Sequence, residues 1–190
     1  MIALPLILLR RGQKGGQALV ESCVVIAIVC LLFFSTFQIS QLFASQEVLD
    51  YAAGRGARAI TVGFNRFMVE KTVLVGAIPN AGRMINPVYQ GGPSVEHALE
   101  TARIPLFLGA EHEGRLQAIL DYENWNTINY KKPAVSMGDG TFRYEVDQKV
   151  PLSDPFRRAY YAADSVELSG ENYLDEHYTL YMETDDGGWR

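Results

Sequence analysis

Cysteine is scarce in this 190-residue chain. Cys23 and Cys30 both lie inside one apolar run, and none occurs from residue 31 onward. That excludes a disulfide framework for the C-terminal part, which must hold together by its own core. Proline is missing between Pro5 and Pro79, so nothing of that kind breaks a helix there. Charge is missing from Ser22 to Gln46. Acids are missing from the first sixteen residues, where Arg10, Arg11 and Lys14 stand. With those three set aside, 14 basic and 22 acidic residues remain, so the rest of the chain is acidic. It carries no basic patch, and nucleic acid is not expected as a partner.

Signals of catalysis are missing too. There is no Gly-x-Ser-x-Gly elbow, no His-Glu-x-x-His, and no cysteine nucleophile outside the apolar run. Gly76 to Arg83 contains glycines but no Lys-Ser/Thr, so it is not a phosphate loop. His97, His112 and His177 each have an acidic neighbour but are scattered, and surface histidine beside acid is the ordinary reading. No catalytic residue, cofactor or metal is expected.

What is present begins with the anchor. Ser22 to Phe37 reads SCVVIAIVCLLFFSTF, and the uncharged stretch through Gln46 spans ~35–38 Å as a helix, enough for hydrocarbon ~30 Å thick. The preceding basic cluster predicts a cytoplasmic N-terminus and an extracytoplasmic remainder. A cleaved secretory signal fits poorly, because only Phe43-Ala44-Ser45 resembles a cleavage site and the apolar core before it is long. A plain stop-transfer anchor is the simpler alternative. Against it stands Glu21, between Val20 and Ser22, a carboxylate costly at the hydrocarbon edge unless it reaches headgroups or finds a positive partner. Cleavage after Gly16 would make Gln17 the first mature residue. Glu21 would then be the fifth, beside a new α-amino group.

Glycine, four residues, then glutamate, after basic residues and before an apolar helix, resembles a type IV prepilin cleavage site. GGQALVES, the apolar helix, and Tyr51-Ala52-Ala53-Gly54-Arg55-Gly56-Ala57-Arg58-Ala59 together resemble the TadE-like family. These are minor pseudopilins of tight-adherence (Tad/Flp) pili, with patterns such as GQALVEF and AAREGAR. The likeness runs from Gly12 to about Ala59, about a quarter of the chain. Ser22 stands where the family usually has a bulky residue, and the leader opens with an apolar stretch, Met1 to Leu9. The resemblance implies a subunit of the bacterial inner membrane that acts in pilus assembly. It implies as partners a prepilin peptidase, other pilin-like subunits, the pilus assembly platform and membrane lipid. A membrane-tethered binding or sensor module is the alternative from another class.

The expected organisation is a leader over 1–16, a long helix over 17–62 with its membrane part near 18–43, and a head over 63–190. The helix should reach ~60 Å. Ile39, Leu42, Phe43, Gln46, Leu49, Ala53, Gly56 and Ile60 recur at three- and four-residue steps and predict a stripe facing the head. Ala52, Ala53, Gly56 and Ala57 smooth its far end for close packing. Arg55 and Arg58 suit the negative C-terminal end of a helix.

In the head, Pro79 to Gly82 reads as a turn and Gln90 to Pro93 as a linker. Ser94 has N-cap character, and Pro105 predicts two helical pieces, Ser94–Ala102 and Ala110–Tyr122. Phe142, Tyr144, Val146 and Val150 alternate with polar residues as a strand, paired through Gly138-Asp139-Gly140 with Ala134–Met137. Asp154–Ala163 reads as helix; Ser165–Ser169 and His177–Glu183 read as strands. Trp125, Tyr130, Tyr160, Tyr161, Tyr173, Tyr178 and Tyr181 are expected to fill a small core. The fold class is α+β, a pilin-like small antiparallel sheet packed on the long helix.

Overall fold

The structure is a computed structural model that describes residues 12–130, 134–135, 141–152 and 164–175. Its first element is one helix of 50 residues, α1 (Gly12–Thr61), about 75 Å long at 1.5 Å per residue. No glycine or proline interrupts it between Gln17 and Ala53. It stops in a Schellman turn. Gly63 takes φ +89°, Phe64 N–H bonds to Ala59 C=O at 3.1 Å, and Gly63 N–H bonds to Ile60 C=O at 2.8 Å. Two residues later Asn65 caps α2 (Arg66–Gly76), its Oδ1 accepting from Met68 N–H at 2.9 Å.

The two helices form an antiparallel hairpin, with Gly76 beside Ala52 and Val73 beside Gly56. A turn at Ile78–Asn80 leads through Gly82, at φ +78°, to β1 (Met84–Asn86). Then follow α3 (Pro93–Leu108), α4 (Leu116–Ile119) and β2 (Asp121–Tyr122), which pairs antiparallel with β1. The larger sheet is antiparallel and holds β3 (Ile128–Tyr130), β4 (Ala134–Val135), β5 (Thr141–Pro151) and β6 (Ser165–Asp175). β5 is its spine: β3 and β4 share one edge of it, and β6 runs along the whole of the other. This is the expected α+β class, a long helix with small antiparallel sheets.

The core lies where α1, α2 and β5 meet. Leu49, Ala52, Ala53 and Ala57 of α1, Val69 and Val73 of α2, and Tyr144 and Val146 of β5 are all fully buried. A second part gathers around Trp125, whose ring centre lies 5.2 Å from that of Phe107 and 4.8 Å from that of Tyr122. Trp125 thus fills core as expected, while Tyr173 is 62% exposed. Tyr160, Tyr161, Tyr178 and Tyr181, like the Asp154–Ala163 helix and the His177–Glu183 strand, lie outside the described residues.

Four expectations need correction. Pro105 does not split its segment. It sits in the last turn of α3, where only its own missing N–H is lost, and buried Phe107 draws that turn into the core. Ser94 is not the N-cap. Gly92 is, because Pro93 with its fixed φ takes the first helical position. Ala110–Tyr122 is not one helix. After Gly109 it runs through a 3₁₀ turn and one turn of α4 into β2, because Leu120 turns extended and Tyr122 pairs with Met84. Finally, β6 continues six residues past Ser169. Gly170 lies mid-strand, where the backbone of Leu49 and Asp50 approaches it.

Candidate membrane and processing helix

α1 is the only described helix long and apolar enough to cross a membrane, and none of its most apolar window is buried against the rest of the chain. Leu19, Val20, Ile26, Phe33 and Phe37 are all more than half exposed. The hydroxyls of this stretch turn inward. Ser22 Oγ donates to Ala18 C=O at 2.9 Å and Ser35 Oγ to Leu31 C=O at 2.7 Å, so neither demands an outside partner. Glu21 is exposed on this helix, one turn above Gln17. Gly16 is exposed, and a Cβ added to it would meet nothing within 4 Å. No packing or positive φ therefore calls for glycine at that position, although glycine inside a helix costs about 0.5–1 kcal/mol relative to alanine.

Further along, the same helix changes character. Ala52, Ala53, Gly56 and Ala57 are buried against the protein's own head. A Cβ on Gly56 would come within 2.7 Å of Val73 Cγ2 and run into the ring of Tyr144. A Cβ on Gly76 would lie 3.1 Å from Ala52 Cα. Small residues here let α2 and β5 reach the backbone of α1. The two arginines separate. Arg58 is exposed in the last turn, as the helix-end reading expects. Arg55 sits with its guanidinium carbon 5.9 Å from the centre of the Tyr51 ring.

The head-facing stripe also needs correction at its lower end. Ile39 and Phe43 are 45% and 69% exposed, whereas Gln38 is buried and Leu42 half-buried. The contact line reaches down through Leu49, Gln46 and Leu42 to Gln38, and Ile39 and Phe43 stand one residue further round, away from the head.

Sequence reading missed a set of amides and one acid that fasten α1 to the head. Gln46 Nε2 donates to Ser169 C=O at 2.6 Å and to Asp50 Oδ1 at 3.2 Å. The same Asp50 oxygen accepts from Glu171 N–H at 3.1 Å. Asn80 Nδ2 donates to Ser45 C=O at 2.8 Å, and Gln148 Nε2 to Asn80 C=O at 3.2 Å. Gln46 and Asp50 thereby occupy backbone groups of β6, which is an edge strand among the described residues and would otherwise offer them to another chain. Between these anchors Gly170 lies against Leu49 and Asp50, where a Cβ would fall 2.7 Å from Asp50 N. One signal was visible: Gln46 is the polar member of an otherwise apolar stripe.

No catalytic or metal constellation accompanies this helix among the described residues. His97 and His112 are exposed, His177 lies outside them, and no three His, Cys, Asp or Glu side chains converge as ligands. Buried Lys71 is structural: its Nζ donates to Leu108 C=O at 2.6 Å and Ala110 C=O at 2.8 Å, satisfying the open C-terminal end of α3. Burial lowers its pKa.

No curated protein and no solved structure matches the chain. The family model described as TadE-like protein matches residues 16–58, from the glycine before the exposed apolar run to the arginine that ends the small-residue segment. Over that stretch, which holds both the membrane-spanning candidate and the surface on which the head packs, the chain is similar to TadE-like proteins.

Proposed function

We propose that the chain is a minor pseudopilin that acts in assembly of a tight-adherence pilus after a prepilin peptidase cuts between Gly16 and Gln17. The observation that carries this reading is Gly16 itself. It opens the TadE-like match, stands five positions before Glu21 with four residues between, and packs against nothing among the described residues. A helix keeps a glycine without structural cause when something outside the fold needs close access to the backbone, as a peptidase does at a scissile bond.

In this reading α1 holds the subunit in the inner membrane, with Arg10, Arg11 and Lys14 cytoplasmic and the acidic head outside. The new α-amino group at Gln17, or that of a neighbouring subunit, pairs with Glu21 in a low-dielectric setting. The head stays docked on the upper half of α1, and the exposed lower half is left for lipid, for other pilin-like subunits and for the assembly platform.

The test is mass spectrometry of the protein from cells that hold the matching peptidase. A mature N-terminus at Gln17 is expected. Gly16→Val should leave the precursor uncut, and the open space around Gly16 means a failure to cut cannot be ascribed to a damaged fold. Glu21→Val should insert more easily, with assembly lost. An intact wild-type precursor, or a terminus near Ser45, overturns the proposal.

A further inference from the structure

Where the exposed half of α1 passes into the docked half, a groove of about 320 Å³ opens between the helix and the underside of the head. Gln38, Gln41, Leu42 and Ser45 line it from α1, with Asn80 and Val150 opposite. Its volume falls at the lower end of small-molecule sites and is far too small for a protein segment.

Two observations point to what fills it. The first is depth. Counted from Glu21 at 1.5 Å per residue, Gln38 lies ~26 Å and Ser45 ~36 Å along the helix. With hydrocarbon ~30 Å thick, the groove straddles the boundary between hydrocarbon and headgroups in the leaflet on the head's side. The second is Gln38. It is only 4% exposed, and its Oε1 is buried with no hydrogen-bond partner. An unpaired buried amide oxygen is destabilising, so the site is short of one donor. Gln41 and Ser45 add further acceptors by residue type. Among the described residues no lysine, arginine or histidine lines the groove.

We propose that this groove seats the headgroup of a phospholipid bearing a primary ammonium, of the ethanolamine class, with Gln38 as its acceptor. The ammonium carries three N–H donors, which a choline headgroup lacks. Leu42 and Val150 give the apolar wall that the glycerol end needs. The inference rests on α1 crossing a membrane and not on the role in pilus assembly.

The experiment uses the full chain in nanodiscs of phosphatidylcholine with phosphatidylglycerol, and in matched discs where phosphatidylethanolamine replaces the phosphatidylcholine. Head unfolding is followed by near-ultraviolet circular dichroism. For the wild type, Tm should be ~4 °C higher in the ethanolamine discs. Gln38→Leu should show one Tm in both. Native mass spectrometry of wild type released from a disc with both lipids should retain an ethanolamine lipid in preference to choline. Equal wild-type Tm values with no such retention overturn the proposal, as does a Gln38→Leu variant that keeps the difference. Retention of phosphatidylglycerol alone overturns it in favour of an anionic site. A chain that does not enter discs at all refutes the membrane reading instead, which keeps the two failures apart.

Discussion

Gly56 shows how much one hydrogen atom can decide. Its position within Tyr51 to Ala59 matches a family pattern, but its physical cause lies 17 and 88 residues away, at Val73 and Tyr144. Val73 and Tyr144 are fully buried and have nowhere to move. Gly56→Ala gains helix propensity of ~1 kcal/mol but forces two buried side chains apart, and overpacking of that kind costs ~1–3 kcal/mol or more. A net loss of stability, read as a lower Tm in detergent, is expected. Gly54→Ala is the control, since its added Cβ would meet only the amide end of Asn172 at 3.1 Å, which can swing away. Equal losses at both positions would contradict this account.

At the scale of elements, local chemistry was readable and partnership was not. The helical run through Thr61 showed in the missing prolines and the apolar pattern, and β5 in its alternation. Both signals come from neighbours in sequence. The reach of β6 did not show, because the close approach of Leu49 to Gly170 joins residues far apart in sequence. Pro105 misled for the related reason that its cost depends on how many turns follow, and only one does. Gln38 is one of several uncharged polar residues between Ser35 and Gln41, so its burial against the head left no trace in the pattern. The proposed processing residues Gly16, Gln17 and Glu21 were the opposite case, a register visible in sequence to which the fold adds only that nothing among the described residues packs on Gly16.

One contact between elements carries a measurable consequence. Lys71 of α2 reaches across to the end of α3 and donates to two carbonyls there. Lys71→Met keeps the apolar stem and removes both bonds, leaving buried acceptors unpaired, which costs ~1–3 kcal/mol. Hydrogen exchange should then quicken first in the last turn of α3 and not in the body of α1. Uniform quickening across the head would speak against a local cap.

For the molecule as a whole, the buried tyrosines set a limit on pH. Burial raises the hydroxyl pKa of Tyr122, Tyr130 and Tyr144, and for Tyr122 the bond to Glu100 at 2.6 Å adds to it. An acid whose folded pKa lies above its unfolded one keeps its proton in the fold while the unfolded chain gives it up. The stability it contributes is therefore whole below pH ~10 and falls as pH climbs beyond. With Tyr122 and Tyr144 both fully enclosed, the loss is ~2–3 kcal/mol per pH unit. Lys71, whose pKa is lowered, acts in the opposite sense just below its ordinary value near 10.5, but it is one group against several. Near-ultraviolet circular dichroism of the head in detergent should hold steady to about pH 10 and then collapse cooperatively, with tyrosinate absorption rising in the same step. Tyrosinate appearing well before the collapse would sink this account.

The uninterrupted path of α1 from Gln17 to Ala53 makes the protein a shaft with a fixed angular phase. The head is keyed to it through Gln46, Asp50 and Gly170, and no joint lies between that key and Glu21. Whatever direction the head faces therefore dictates the side of the helix on which the Glu21 carboxylate emerges. Lengthening the shaft by a single alanine near Thr36 would turn the head by ~100° and raise it by only ~1.5 Å. Seven added residues would restore the phase to within ~20° while lifting the head by ~10 Å. An assembly that reads this subunit by its orientation would reject the first change and tolerate the second, although the first is far the smaller in length.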